Sequence, residues 1–131
     1  MNPATQNDMA RLLLRVTLGV LILLHGIAKL QDGVGGIEGM LVARGLPAEL
    51  AYAVFIGEVL APLMLIVGFH ARIGAVLVAI NMLVAIVLVH MRQLASLNEQ
   101  GGWDIELQAI YLVSAIALAL SGPGRFGING R

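Results

Sequence analysis

The sequence contains no cysteine. That excludes disulfides, thiol redox chemistry, cysteine-ligated iron–sulfur clusters and cysteine-based zinc sites. It is also poor in charge: 12% of its 131 residues are Asp, Glu, Lys or Arg, about half the share of an ordinary soluble domain. Lys plus Arg number 8 and Asp plus Glu number 8, so no basic excess exists to hold nucleic-acid phosphates. So short a soluble chain needs polar residues to cover its surface. Here 59% of residues are apolar before the 16 glycines are counted. A soluble monomer, a disordered chain and a nucleic-acid binder are all disfavoured, which leaves a membrane protein.

A spanning helix takes about 20 mostly apolar residues. Four stretches qualify, at about 10–30, 50–69, 72–91 and 103–121. The runs are continuous and do not alternate, which argues against a β-barrel. The expected fold is an all-α, integral membrane four-helix bundle forming a single domain over residues 1–131. The first run ends in His25, Lys29 and Asp32 without a small-residue cleavage site, so it reads as a retained helix rather than a signal peptide. Gly68-Phe69-His70-Ala71-Arg72 is a tight turn that makes the second and third helices antiparallel neighbours. Between the first two spans, Ile37, Met40 and Leu41 recur at helical spacing before Gly45 and Pro47, which predicts a short interfacial helix. Gly122-Pro123-Gly124 ends the fourth span.

Orientation follows the cations near helix ends. Arg11, Arg15, Arg72, Arg125 and Arg131 lie on the side of the N-terminus, against Lys29, Arg44 and Arg92 on the other. Both termini are therefore expected in the cytoplasm. Tyr52 and Trp103 suit an aromatic belt on the opposite side.

An ionisable residue at mid-span costs about 2.5–3.5 kcal/mol on insertion scales, so the polar residues within the spans are the informative ones. In the first helix Arg11, Arg15, Leu18, Ile22, His25 and Lys29 fall within about 80° at 100° per residue. This face should point into the bundle. Glu58, near the middle of the second helix, must be paired or protonated, and His25, Lys29 or Arg15 are its possible partners. Pro62 leaves the Glu58 carbonyl without its usual donor. Asn81 reads as polar glue between helices. His90 falls about 180° around the third helix from Asn81, and Glu106 stands one turn into the fourth. By height at about 1.5 Å per residue, His25, His90 and Glu106 lie in the outer half of the bundle, while Glu58 and Asn81 lie near its centre. The expectation is a pocket with a neutral floor and a charged mouth.

Two histidines and two carboxylates can bind a metal, but no His-x-x-His or Glu-x-x-His pair fixes such ligands, and none is assigned. Haem ligation by His25 and His90 is disfavoured by the facing of His90. A quinone head group needs an apolar slot, one or two hydrogen-bond donors and a proton-exchanging carboxylate. The chain can supply those, although the residues alone do not select a quinone.

Taken together, the motifs resemble the DoxX family of small four-helix inner-membrane proteins. The resemblance rests on His25-Gly26 with Lys29-Leu30, Gly45-Leu46-Pro47, Gly57-Glu58 with Pro62, and the turn ending in Arg72. It continues through His90, Gly101-Gly102-Trp103 with Glu106, and Gly122-Pro123-Gly124-Arg125. It implies association with membrane redox complexes; the family name derives from a thiosulfate:quinone oxidoreductase. On that footing Glu58, His25 and Glu106 are the expected catalytic residues. His25, Lys29, Glu58 and His90 are the expected cofactor-binding residues. Thiosulfate itself is not carried over, because nothing in the chain is dedicated to a sulfur anion. Three readings stand: a quinone-linked redox subunit with protein partners or a homo-oligomer, a non-catalytic scaffold of a membrane complex, and a small transporter.

Overall fold

The computed structural model describes residues 1–129, apart from the side chains of Val89, His90 and Arg92. Among the described residues the chain is an all-α membrane bundle without strands. Helix α1 (Pro3–Asp32) starts well before its apolar run. Asn2 caps it, accepting a 2.8 Å hydrogen bond from the Thr5 N–H, and Pro3 tolerates the first turn, where no donor is needed. Its 30 residues measure about 45 Å. Gly33, at φ 84°, ends it. The short helix α2 (Gly35–Ala43) follows and buries Val34 and Leu41 against Ala51.

The second span, Ala48–Val67, is not a uniform helix. It opens as a 3-10 segment (Ala48–Ala53), becomes π-helical over Ile56–Leu60, and ends as α3 (Ala61–Val67). Pro62 explains the π turn. It has no N–H to give the Glu58 carbonyl, and the Ala61 N–H bonds back to Ile56, five residues earlier. Helix α4 (Ala71–Ala85) then runs into a second π segment, Ile86–His90, and a 3-10 turn at Met91–Gln93. Helix α5 (Glu106–Ser121) stops at Gly122, φ 81°.

Contacts at the helix ends fix an up-down-up-down order. Gly26 in α1 packs on Glu58 and Gly19 on Pro62 and Ile66, so α1 and the second span are antiparallel. Arg72, opening α4, donates to the carbonyls of Ala119 and Leu120, which close α5. The first, second and third spans are long and apolar enough to cross a bilayer; α5 is a shorter apolar helix of 16 residues lying along them. Leu18, Ile22, Leu65, Val78, Ala115 and Leu118 form the core. Leucines and isoleucines such as Leu24, Leu60, Ile80 and Ile116 are exposed. That is an outer surface suited to lipid and not to water.

Two devices hold the bundle. The first is close backbone approach. A Cβ on Gly26 would lie 2.0 Å from the Glu58 carbonyl oxygen, the group to which Pro62 cannot donate. Only glycine permits that contact, and small residues at helix crossings are the usual basis of packing in lipid. The second is a polar clasp at the end where α1 begins. Arg15 is 1% exposed. It donates through Nη1 to the Pro123 carbonyl at 3.0 Å and through Nη2 to the Phe126 carbonyl at 2.7 Å. Buried Asp8 is bridged by Arg11 and Arg125 and accepts the Arg125 N–H. Ile128 and Asn129 donate their N–H groups to Val67 and Gly68. The tail after α5 is thereby tied to both the first helix and the tight turn.

Gly26→Ala should lower the detergent melting temperature by an amount corresponding to about 1–3 kcal/mol of overpacking. Gly39→Ala has nothing within 4 Å of the new methyl and should not. Equal melting temperatures for the two variants would refute the close-approach account. Arg15→Met strips the Pro123 and Phe126 carbonyls of their donors, at about 1–3 kcal/mol for each buried acceptor. Trypsin cleavage after Arg125, followed by mass spectrometry, should become several-fold faster. An unchanged rate would mean that Arg15 does not hold the tail.

Candidate functional site

Glu58 lies inside the π-helical segment of the second span and is 4% exposed. Both of its carboxylate oxygens are bonded, each from a different helix. Oε1 receives the Lys29 ammonium of α1 at 2.5 Å. Oε2 receives Nδ2 of Asn81, from the middle of α4, at 3.1 Å. The π turn matters here, because the extra residue in that turn changes which way Glu58 faces. Gly57 beside it lets the Asn81 side chain lie against the second span; a Cβ at Gly57 would meet Asn81 Cβ at 2.5 Å. The Lys29 side chain is 31% exposed. The buried carboxylate is therefore joined on one side to a cation that reaches the bundle's surface.

On its other side, Glu58 is one hydrogen bond from a cavity. This space, about 650 Å³, lies between α2, the second span and α4, and its lining includes Leu41, Ala51, Val54, Asn81, Val84 and Leu88. Among the described lining residues Asn81 is the one polar side chain; the rest are aliphatic, with Gly57 beside Asn81. Arg44, just after α2, donates to the Leu88 carbonyl at 3.2 Å and links the short helix to the far wall. Among the described lining residues none is charged.

Lys29 and Glu58 come together, joined by Asn81. His25 does not join them. It is exposed on the α1–α5 side, with its ring edge-on to Tyr111 at a centroid distance of 6.2 Å. Glu106 is exposed in the first turn of α5, with its carboxylate over Gly102. There it complements the positive end of the helix. The His90 side chain lies outside the described residues. Arg15, a possible partner for Glu58 on sequence grounds, is committed to the tail carbonyls instead. Among the described residues no three His, Asp or Glu side chains gather as metal ligands.

Asp8 was not singled out by sequence reasoning, yet it is buried and anchors the tail. Its signal was present: Asp8, Arg11 and Arg15 follow one another at helical spacing. The partners that Asp8 and Arg15 find in the tail stand more than 100 residues away, beyond the reach of any local pattern.

Comparison with known proteins agrees with this architecture. Over 115 residues, 88% of this chain and 81% of the relative, the sequence is 30% identical to "Putative oxidoreductase CatD" of Bacillus subtilis (strain 168). Over 131 aligned residues, 90% of this chain and 78% of the relative, it is 31% identical to "Uncharacterized membrane protein Rv3486" of Mycobacterium tuberculosis (strain ATCC 25618 / H37Rv). No solved structure matches it. The family model described as DoxX matches residues 10–91, which include most of α1, then α2, the second span and α4 with the whole Lys29–Glu58–Asn81 linkage. The chain belongs to the DoxX family.

Proposed function

We propose that this protein is a quinone-linked subunit of a membrane redox complex, with the cavity beside Asn81 as the quinone site. The observation that carries the reading is the linkage itself. An apolar cavity of about 650 Å³ has a single polar lining side chain, hydrogen-bonded to a buried, ion-paired carboxylate. Ligand sites are commonly apolar clefts with a few placed polar groups. A lipid-soluble redox ligand of the quinone–quinol class fits the cavity's size and aliphatic lining. When bound, it would supply two-electron chemistry coupled to protons. Glu58 would hold and exchange the proton, Lys29 would compensate its charge toward the bundle surface, and Asn81 would orient the head group. The relative named as an oxidoreductase supports a redox role.

His25 and Glu106 remain proposed contributors from the bundle's exterior, where a redox partner protein or a second copy would approach. His90 is proposed with them as a cofactor contact. The excess of arginine on the side of the N-terminus supports an inner-membrane, multi-pass placement with both termini in the cytoplasm.

The scaffold reading is supported by one observation: both oxygens of Glu58 are satisfied by neighbouring helices, as in a packing ion pair. The two readings separate in one experiment. Protein purified in mild detergent and extracted for lipid analysis should carry membrane quinone. Ala85 also lines the cavity, and Ala85→Phe, which fills it, should lower that content by roughly tenfold, the effect of about 1.4 kcal/mol, without lowering the melting temperature. Quinone at background level in the native protein, or content indifferent to Ala85→Phe, would favour the scaffold. The scaffold also requires that Glu58→Gln impair assembly alone.

A further inference from the structure

The direction of one amide gives the cavity a chemical preference. Asn81 turns its nitrogen toward Glu58, with Nδ2 to Oε2 at 3.1 Å. It has little choice. A carboxylate only accepts hydrogen bonds, and Glu58 is held as a carboxylate acceptor by the Lys29 ammonium on its other oxygen. With its nitrogen committed to Glu58, the amide directs its oxygen elsewhere. That oxygen lies beside Gly57, 2.8 Å from where a Cβ would stand, and Gly57 and Asn81 are adjacent in the cavity lining. Asn81 Oδ1 has no hydrogen bond among the described residues, and it is not among the fully enclosed unbonded atoms. Asn81 thus brings to the wall of an otherwise aliphatic cavity an acceptor with no hydrogen bond among the described residues.

An acceptor in such surroundings discriminates strongly. A ligand hydroxyl satisfies it, whereas a ligand carbonyl meets it with like partial charge and leaves it desolvated. Sites that hydrogen-bond a substrate hydroxyl reject analogues lacking it far more effectively than apolar pockets reject size differences. We propose that the cavity selects apolar ligands bearing a hydroxyl donor, the phenol or quinol class, over their carbonyl or ether counterparts. In this proposal Asn81 Oδ1 is the specificity-determining acceptor. Glu58 and Lys29 are positioning residues that fix the amide's direction. The inference rests on the reading of the cavity as the site of a lipid-soluble redox ligand. It adds that the reduced form is the one recognised.

Two probes isolate the donor without any redox change: 4-nonylphenol and its methyl ether, 4-nonylanisole. Each is titrated into the full chain in lipid nanodiscs and followed by calorimetry. The phenol should bind roughly tenfold more tightly than the ether, as one further buried hydrogen bond gives. Asn81→Leu should bring that ratio close to one while the ether still binds. Glu58→Gln lets the facing amides pair in either direction, and it should shrink the ratio without abolishing ether binding. A purely structural role for Glu58 would weaken both probes equally and overturn the positioning claim. The native protein alone keeps the test decisive if a variant fails to fold. Equal affinity for the two probes overturns the selectivity while leaving a ligand in the cavity. Failure of both probes to bind overturns the cavity reading together with it.

Discussion

A carboxylate buried between helices in a lipid-facing bundle has to be met by a cation and by donors, and much of this structure follows from how Glu58 is met. Lys29 and Asn81 reach it from two different helices, so the pair ties the first, second and third spans together at one depth. Pro62 accounts for the π turn in which Glu58 sits and denies the Glu58 carbonyl its usual donor four residues on. Gly26 then allows α1 to approach that carbonyl, and Gly57 allows Asn81 to approach the carboxylate. Lys29, Asn81, Pro62, Gly26 and Gly57 thus all serve one side chain.

The two ends of the bundle are built differently. Where α1 begins, arginines and an aspartate bind backbone carbonyls, hydroxyls and each other, and the tail is woven through them. Where α2 lies, packing is aliphatic and includes the cavity. Glycines 35, 36 and 39 in α2 have no neighbour that requires them, and glycine within a helix costs about 1 kcal/mol relative to alanine. The firm end and the yielding end stand on opposite sides of the Glu58 linkage.

Much of this was legible in the sequence. The apolar runs announced the spans, the glycine–proline punctuation announced α2, and the family resemblance held. Glu58 and Lys29 stood out because charge within a span demands a partner. His25 and Glu106 were harder to place, because a 100° wheel groups residues by angle and does not say which edge of a face is covered. His25 falls at such an edge, uncovered beside Tyr111, while Leu18, Ile22 and Gly26 face inward. The wheel also presumes a uniform helix. Two π segments break that assumption, around Glu58 and over Ile86–His90, so angles reckoned across them drift. Asn81 was read as glue, correctly, but nothing local indicated that its other side opens on a cavity.

The clasp at Arg15 also sets an order of events. Its two acceptors lie 108 and 111 positions further along the chain. While the first helix enters the membrane during synthesis, those carbonyls do not yet exist. Arg15 must therefore remain at the lipid headgroups or in water, since burying its charge without partners is too costly. The N-terminal half of α1 can settle against the other helices only after the fourth has been delivered. The final register of the bundle is thus a late step of its biogenesis, triggered by the arrival of a few backbone oxygens.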